Sequence, residues 1–599
     1  MDIASLEQMY RQQKTSPAQV VQEIYAQIRL EGERPIWITL NREEDSLARA
    51  SSLEGIPDPG KLPLFGIPFA VKDNFDVAGL PTSAACPDFS HEALTTAEAV
   101  QRLLDAGAIL IGKTNMDQFA TGLVGTRTPY GVCSSVFHEE YISGGSSSGS
   151  AVAVAKGLVS FALGTDTAGS GRVPAAFNQI VGVKPTRGLV STYGLLPACR
   201  TLDCVSIFAE ICSDAARVLD VLCGVDAKDP YSRSAKPGEG ATPWVASTFK
   251  FGIPSEDSLE FFGDDLARQM YFKSVNAMIR LGGEAIHFDY EVFRSAASLL
   301  YNGPWVAERL AAIREFADTR PDSLDRTVGS IIMSAAKFTA VDAFLAEYEL
   351  KEISRRANTV LDAVDFLLLP TAPTTYSIAE VEAEPIQLNS NLGYYTNFVN
   401  LLDLAAVAVP AGFKEDGLPF GVSLVGKAFT DKTLIAFADR LHRELATTVG
   451  GSGRLLAETP AIVSSSTPHG CILMAVVGAH LSGQPLNWQL TQRKARLVRT
   501  VRTHPDYQLY VLPNSAPAKP GLVYSPGYEG KGIEVEVWAM PEDTVGTFLN
   551  GIPAPLSLGT VRLEDGTSVK GFLCEPAGIV GAEEITHLGG WRPYIQSQS

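Results

Sequence analysis

Short apolar runs alternate with amphipathic helical patterns from the N-terminus to about Leu445, and this alternation restricts the possible folds more than any other feature. The start of one helix is marked by Ser16 as a cap, by Pro17 in the first turn, and by Gln19, which can complete a capping box. Another helical pattern ends at Gly107 and leads directly into an apolar strand. Strands that alternate with helices pack in layers. The sequence therefore predicts an α/β sandwich around one mixed sheet.

The character of the sequence changes beyond this region. Residues 447–469 are rich in Gly, Ser, Thr and Pro, a composition typical of a linker. Strand-like runs such as CILMAVVGAHL and IEVEVWAMP dominate the sequence that follows. We therefore predict a first domain over residues 1–446, a linker over 447–469, and a smaller β-rich α+β domain over 470–599.

Charge and residue counts argue against several classes of protein. The chain has 49 Lys and Arg against 67 Asp and Glu, a net charge of −18, which argues against binding to nucleic acids or anionic membranes. Its eight cysteines lack CxxC pairs, as expected for reduced thiols in the cytoplasm. We expect no signal peptide and no membrane span, because the apolar runs are short or interrupted. The histidines lack metal-binding spacing, so neither a metal nor a cofactor is predicted.

One nucleotide-binding motif is present only formally. Residues 107–114, GAILIGKT, match the P-loop pattern GxxxxGK[ST]. A P-loop requires a strand before the first glycine and a helix after the lysine, whereas here a helix precedes four apolar, strand-like residues. A strand interior cannot wrap its N–H groups around phosphates, so we reject nucleotide binding.

Two small-residue segments and one lysine carry the strongest indication of chemistry. The run ISGGSSSGS over residues 142–150 is by itself typical of a flexible linker, yet it lies between segments that look folded. The segment 164–172, GTDTAGSGR, can hold a serine in a tight turn whose backbone N–H groups converge on one point. No histidine is evident as its base. Lys72 in the apolar run PFAVKDNF is the best alternative, because burial lowers the pKa of a lysine from about 10.4.

These segments resemble the amidase signature family, whose members use a Ser–cis-Ser–Lys triad. Lys72, GGSS at 144–147 and DTAGS at 166–170 match the family motifs in order and spacing. By this resemblance Ser170 is the nucleophile, Ser146 is the bridging serine on a cis peptide, and Lys72 is the base. The resemblance also implies that an oxyanion is held by the backbone N–H groups of Thr167, Ala168, Gly169 and Ser170.

Two features bear on which amide is cleaved. The loop NMDQFATGLVG lacks the acidic residue found at this place in the tRNA-dependent amidotransferases of the family, which weakens an amidotransferase interpretation. Tyr301 and Arg309 are separated by close to two turns of a predicted helix, so both could face one pocket. An arginine fork and a phenol suit a small carboxylate. On physical grounds alone, a surface arginine and a packed tyrosine are an equally good explanation.

The chain resembles the allophanate hydrolases of this family in the segments YNGPWVAER and DTAGSGRVPA and in its C-terminal domain. That resemblance implies that Tyr301 and Arg309 bind the carboxylate of allophanate, and that ammonia and N-carboxycarbamate are released. It also implies a functional link to a biotin-dependent urea carboxylase, and a homodimer. The alternatives are a general amidase for another small amide, with an accessory C-terminal domain, and a non-catalytic subunit of an amidotransferase-like complex.

The C-terminal domain resembles the second domain of these hydrolases, whose fold is like that of γ-glutamylcyclotransferases. Its implied role is to promote decarboxylation of N-carboxycarbamate. The implied functional histidine is His480 in the segment VGAHLSG. A lone histidine after an apolar strand is more often structural, and that alternative stays open here.

Overall fold

A computed structural model describes residues 2–32, 34–235, 245, 248–462, 470–513 and 517–598. The chain divides into two compact units. The first unit comprises residues 1–240 and 250–463, and the second comprises residues 464–599 with 241–249. The division falls inside the predicted linker, whose residues 463–469 lie outside the described residues.

The first unit contains most of the strands and helices. Its strands are β1 Trp37–Leu40, β2 Pro68–Lys72, β3 Pro81–Thr82, β4 His91–Glu92, β5 Ile109–Thr114, β6 Phe161–Asp166, β7 Val181–Lys184, β8 Cys204–Ala209, β9 Phe249–Pro254, β10 Gly283–Phe288, β11 Phe366–Pro370, β12 Leu404–Phe413, β13 Pro419–Lys427, β14 Thr448–Val449 and β15 Arg454–Leu455. Its helices are α1 Ile3–Arg11, α2 Pro17–Glu31, α3 Glu43–Glu54, α4 Glu98–Asp105, α5 Ser148–Ala155, α6 Val173–Phe177, α7 Cys212–Leu222, α8 Asp265–Arg280, α9 Glu291–Asn302, α10 Val306–Thr319, α11 Arg326–Met333, α12 Ala340–Leu361, α13 Ile378–Ala383, α14 Gln387–Leu392, α15 Phe398–Leu401 and α16 Asp431–Leu445.

Eleven of these strands form one mixed sheet, in the order β1–β5–β2–β6–β8–β7–β12–β13–β11–β9–β10. Strands β5, β2 and β6 run parallel beside one another, with Lys72 opposite Thr114 and Val71 opposite Leu163. Every residue of these three strands is buried, as expected for parallel strands covered on both faces. The predicted α/β architecture around a mixed sheet is confirmed.

One edge of this sheet gathers polar residues that are far apart in the sequence. Lys72 ends β2, Thr114 ends β5 and Asp166 ends β6, so all three lie at the carboxyl ends of parallel neighbours. Helix α5 packs against β2 and β6 and begins at the same edge. In open α/β sheets this edge is where sites form. Residues 107–114 contribute the buried strand β5 here, in agreement with the rejection of a P-loop.

Local sequence signals account for several boundaries. Helix α2 has the predicted capping box, in which Ser16 and Gln19 each bond to the backbone of the other. The predicted linker is structured in its first half, because β14 and β15 pair as a hairpin. Val449 and Leu456 bury their side chains against Ile211, so this segment packs with the first unit. The sequence prediction missed these two buried apolar residues because the segment around them is rich in Gly and Thr.

Helices α11 and α12 are exposed on part of their surface. Among the described residues, no single helix is both long and apolar enough to cross a membrane. The pair Arg326–Lys337 and Ala340–Leu361 reaches that threshold only when it is counted together across a 97° bend.

The second unit has its own sheets and its own core. Its strands are β16 Cys471–Val476, β17 Arg496–Arg502, β18 Tyr507–Val511, β19 Pro520–Tyr524, β20 Glu534–Pro541, β21 Leu556–Arg562, β22 Ser568–Cys574 and β23 Glu583–Glu584, and its helices are α17 Trp488–Thr491, α18 Glu542–Leu549 and α19 Trp591–Gln598. One sheet has the order β17–β20–β16–β22–β21, and a smaller one has the order β19–β18–β23. Met474, Val537 and Trp591 are among the side chains of the core. The predicted β-rich character of this part of the chain is confirmed.

Candidate active site

The three residues predicted to form the catalytic relay come together at the carboxyl ends of β2 and β6. Nζ of Lys72 donates hydrogen bonds to Oγ of Ser146 and to Oγ1 of Thr165, each over 2.8 Å. The Oγ atoms of Ser146 and Ser170 lie 2.9 Å apart. A continuous hydrogen-bonded path therefore joins the lysine amine to the Ser170 hydroxyl. Such a path is what proton transfer from a nucleophile to its base requires.

The small-residue run 142–150 is buried along its whole length and is not a flexible linker. The peptide bond between Gly145 and Ser146 is cis. Gly145 is required by space, because a Cβ there would lie 2.1 Å from Oδ2 of Asp117. The run is not a loop throughout, however, since helix α5 already begins at Ser148. The alanines and valines that follow extend this helix into the core.

Asp117 fixes the backbone around the bridging serine. Its N–H donates to the carbonyl oxygen of Ser146 over 3.0 Å. Its carboxylate accepts hydrogen bonds from the N–H groups of Val124, Gly125 and Arg127 over 3.0–3.2 Å. A buried carboxylate that accepts several N–H groups is a rigid anchor. Asp117 therefore holds its loop against Ser146.

The turn that follows β6 is held by a buried ion pair. Arg172 donates to both carboxylate oxygens of Asp166 over 2.8 and 3.0 Å. The same carboxylate accepts the N–H groups of Gly169 and Gly171. Gly169 has a φ of +138°, and a Cβ there would lie 2.5 Å from Oγ1 of Thr396. The turn is thus tightly packed and admits only glycine at this position.

The structure changes one part of the predicted oxyanion site. The N–H of Gly169 donates to Oδ1 of Asp166 over 2.9 Å, so this group is already used to shape the turn. None of the described hydrogen bonds uses the N–H groups of Thr167, Ala168 or Ser170. These three donors remain available to a substrate oxygen, and donors of this kind are what stabilises an oxyanion.

Burial sets the protonation of the lysine. Lys72 is completely buried, and this desolvation lowers the pKa of its amine to about 7, against the opposing effect of Asp117, Asp203 and Asp166. A substantial fraction of the amine is therefore neutral near neutral pH. A neutral amine can accept a proton, which is the protonation state that the predicted base requires.

Tyr301 and Arg309 do not lie on one helix as predicted. Tyr301 is in α9, which ends at Asn302, and Arg309 is in α10, which begins at Val306. The break falls at Gly303-Pro304, because proline cannot donate the backbone hydrogen bond that a continuous helix needs. The two side chains meet nevertheless, since Nη2 of Arg309 donates to the Tyr301 hydroxyl over 3.2 Å.

Arg309 is buried but is not paired with an acid. Its side chain is 2 % exposed, which excludes the alternative of a surface arginine. Nη1 donates to the carbonyl oxygen of Ala120 and to Oγ1 of Thr121. No carboxylate of the described residues lies within ion-pair distance of it. A buried cation without a counter-ion favours an anionic ligand, and the charge of Arg309 is close enough to act on the pKa of Lys72.

Family profiles account for nearly all of the chain. The profile described as Amidase matches residues 20–435. The chain belongs to the amidase family. A second profile, described as Allophanate hydrolase C-terminal domain, matches residues 472–596. An amidohydrolase domain is therefore followed by a second domain that is known from allophanate hydrolases.

Individual relatives of this amidase agree with the two profiles. The allophanate hydrolase of Kluyveromyces lactis has a similar structure, with 41 % identity and a TM-score of 0.82 over 100 % of this chain and 99 % of that one. The urea amidolyase of Saccharomyces cerevisiae is 44 % identical over 94 % of this chain and 31 % of that protein. One component of the glutamyl-tRNA(Gln) amidotransferase of Agathobacter rectalis is 32 % identical over 68 % of this chain and 87 % of that protein. The chain thus spans about a third of the length of the urea amidolyases that it matches.

His480 of this amidase lines a cavity of about 200 Å³ in the second unit. Its ring stacks on Phe572 at 5.3 Å, and its Nε2 lies 3.0 Å from Oε1 of Gln489. Burial lowers the pKa of the imidazole, which favours its neutral form. The cavity is lined mainly by apolar side chains, with His480, Gln489 and Lys519 as its polar residues. The histidine therefore faces a small cavity and is not buried in the core.

Sequence reasoning missed three buried polar residues of the first unit: Asp117, Thr165 and Asp203. Thr165 and Ser146 both accept a hydrogen bond from Lys72. Asp203 accepts a hydrogen bond from the side chain of Thr167. A polar residue at the end of an apolar strand is the signal that could have indicated Thr165 and Asp203.

Among the described residues, no group of three or more His, Cys, Asp or Glu is arranged to hold a metal ion.

Proposed function

We propose that this amidase hydrolyses allophanate to ammonia and N-carboxycarbamate, and that its second domain promotes decarboxylation of the latter. The observation that carries the substrate is Arg309, a buried cation without an acidic partner that contacts Tyr301. Its guanidinium suits a small carboxylate. The similarity to the Kluyveromyces lactis allophanate hydrolase over the full length of both chains supports the same substrate.

The arrangement of the relay gives each residue a step in the reaction. Ser170 attacks the amide carbonyl, and its proton passes through Ser146 to the neutral amine of Lys72. The N–H groups of Thr167, Ala168 and Ser170 stabilise the oxyanion. The proton returns to the leaving nitrogen, and ammonia departs. Water then attacks the carbonyl of the acyl-enzyme, N-carboxycarbamate is released, and Ser170 is regenerated.

Recognition of the carboxylate by Arg309 is tested by a pair of substrates. We expect Arg309→Met to raise KM for allophanate about 10–100-fold, because a hydrogen-bonded charge interaction of about 1.5–3 kcal/mol is lost. Biuret, in which an uncharged amide replaces the carboxylate, should be affected far less. The measurement is the steady-state rate of ammonia release with each compound.

The control for this experiment is Arg314→Met, which removes an exposed arginine from the same helix. It should leave both substrates within threefold. If Arg309→Met leaves KM for allophanate unchanged, Arg309 does not bind the carboxylate. If the unmodified protein hydrolyses other small amides but not allophanate, it is a general amidase with an accessory domain.

The cavity at His480 is the proposed site of decarboxylation. N-carboxycarbamate takes up a proton at nitrogen and loses CO₂, leaving carbamate. In His480→Asn we expect ammonia release from allophanate to stay within twofold, while prompt CO₂ release falls at least about tenfold. Such a loss is usual when a group that assists proton transfer is removed. Ammonia and CO₂ would be followed together in the same reaction.

Gln508→Asn provides the control for that change, since Gln508 lies in β18 and is absent from the lining of the cavity. Equal loss of ammonia and CO₂ in His480→Asn would point to a general effect on folding. Unchanged release of both products would show that His480 is not needed for decarboxylation.

We further propose that the protein is a homodimer whose second copy covers an apolar stripe on α12. Val341, Phe344, Leu345 and Tyr348 recur at helical spacing and are 58–66 % exposed. Exposed apolar patches of this kind mark association surfaces. We expect Phe344→Glu to halve the mass measured by light scattering, and Glu347→Lys, outside the stripe, to leave it unchanged. A monomeric unmodified protein would contradict the proposal.

The cellular setting follows from the same substrate. Allophanate is a carboxylated urea, and the similarity to urea amidolyases supports a functional link to a biotin-dependent urea carboxylase. All eight cysteines are free thiols, which supports a cytoplasmic location. We propose that the chain acts on allophanate formed there from urea.

A further inference from the structure

Asp203 is a buried carboxylate that the proposed mechanism does not use. It lies just before β8 and is 6 % exposed. Oδ1 accepts a hydrogen bond from the hydroxyl of Thr167, the residue that begins the catalytic turn. The carboxylate also accepts the N–H groups of Ala198 and Cys199 over 2.8 and 3.2 Å. One side chain thus joins the catalytic turn to the segment that precedes β8.

The same segment is attached to helix α10, which carries the proposed carboxylate-binding residue. The N–H and hydroxyl of Thr201 both donate to the carboxylate of Glu308, the neighbour of Arg309 in the chain. Cys199 contributes a weaker contact from its Sγ to the carbonyl oxygen of Trp305, at 3.5 Å. Asp203 therefore lies between the beginning of α10 and the turn that presents the nucleophile.

We propose that Asp203 is a positioning residue for amide hydrolysis, which acts by holding the Thr167 side chain so that the Thr167 N–H points at the developing oxyanion. Asp203 does not touch the substrate. This proposal rests on the proposed hydrolysis at Ser170 but not on the identity of the amide. An oxyanion donor acts only if its direction is fixed before the reaction, since reorientation during the reaction costs much of its effect.

The environment explains why a carboxylate holds this position. Asp203 accepts three hydrogen bonds within the protein. The single oxygen of a neutral amide has two lone pairs, so a carboxylate suits these three donors better. Buried carboxylates are stabilised by such donors and by nearby cations. Burial raises the pKa of Asp203 to about 6, and the hydrogen bonds from Thr167, Cys199 and Ala198 and the charge of Arg309 oppose that rise. The side chain is therefore mainly a carboxylate near neutral pH, although burial favours its neutral form.

Three variants test the role without altering the backbone donor itself. Thr167→Val keeps the shape and the N–H but removes the hydroxyl that Asp203 accepts. Thr167→Ser keeps the hydroxyl. Asp203→Asn removes the charge. We expect kcat for ammonia release to fall about 10–100-fold in Thr167→Val and in Asp203→Asn, with KM within threefold. In Thr167→Ser, which keeps the hydroxyl that Asp203 accepts, kcat should exceed that of Thr167→Val by at least about tenfold.

The double variant Asp203→Asn/Thr167→Val separates positioning from a general effect. If both residues act through one hydrogen bond, its kcat should be no more than about threefold below that of either single variant, because coupled residues are non-additive. Additive losses, or a Thr167→Val variant with the kcat of the unmodified protein, would overturn the proposal. Thr167→Val decides the question even if Asp203→Asn does not fold.

A wrong substrate assignment gives a different result from a wrong role for Asp203. If the unmodified protein does not release ammonia from allophanate, the substrate assignment fails. The same variants are then compared on a panel of small primary amides, using the amide that the protein hydrolyses fastest. A selective fall in kcat there would still support the role of Asp203.

Discussion

Ser170→Ala should lower the rate of ammonia release by at least about 10,000-fold, the size of loss seen when a nucleophilic serine is removed from a serine hydrolase. Ser170 is the end of the hydrogen-bonded path from Lys72 through Ser146. In the proposed mechanism its hydroxyl forms the acyl-enzyme. The Ser170→Ala variant would keep the residues that are proposed to bind the substrate. Allophanate should therefore still bind, which calorimetry on the variant would show.

A buried serine outside the relay supplies the matched control. Ser160 lies just before β6, is 2 % exposed, and has no hydrogen-bond partner for its hydroxyl among the described residues. Ser160→Ala should leave the rate within twofold. Retention of more than one per cent of the normal rate in Ser170→Ala would remove Ser170 as the nucleophile, and would direct attention to Ser146.

The relay could be predicted because its chemistry depends on short segments of unusual composition. A lysine within an apolar strand and two runs of small residues are visible without knowledge of the fold, and their joint spacing identifies the family. Lys72 and Ser170 are almost 100 residues apart, yet β2 and β6 are parallel neighbours, so one edge of the sheet brings them together. Local sequence patterns indicated each strand, and the order of the strands in the sheet brings the ends of β2 and β6 together.

Other parts of the site depend on contacts that local patterns do not contain. Asp203 meets Thr167 only because β8 pairs with β6. Asp117 reaches the backbone of Ser146 from a different loop. Spacing alone placed Tyr301 and Arg309 on one helix, and it gave too little weight to the Gly-Pro pair between them. The interaction survives this break because the two helices fold back to bring the side chains together.

Three buried cations of the first unit differ in their partners. Arg172 is paired with Asp166 and holds the turn. Arg309 lacks such a partner, and Lys72 is surrounded mainly by hydroxyl groups. Arg127 and Lys184 are also buried without an ion-pair partner among the described residues, but they donate to backbone carbonyl oxygens. Arg309 differs from them in its contact with the Tyr301 hydroxyl. This difference favours assigning structural work to Arg172 and chemical work to Lys72 and Arg309.

Lys72→Met is expected to lower kcat/KM for allophanate by about 1,000-fold or more, since a general base contributes about 100–10,000-fold. In the unmodified protein, burial lowers the pKa of Lys72 to about 7, so the base is protonated as the pH falls below that value. The rate should therefore level off above pH 8 and fall about tenfold for each unit of pH well below 7. The variant should lack this dependence.

Lys72→Arg distinguishes a base from a fixed positive charge. A guanidinium keeps the charge but stays protonated throughout the accessible range of pH, so it cannot accept the proton of Ser170. If Lys72 acts as a base, the arginine and methionine variants should both be inactive. If its charge merely orients Ser146, the arginine variant should retain activity within about tenfold of the unmodified protein. The lowered pKa favours the first outcome, because desolvation that makes the amine neutral would be a disadvantage for a residue required only as a cation.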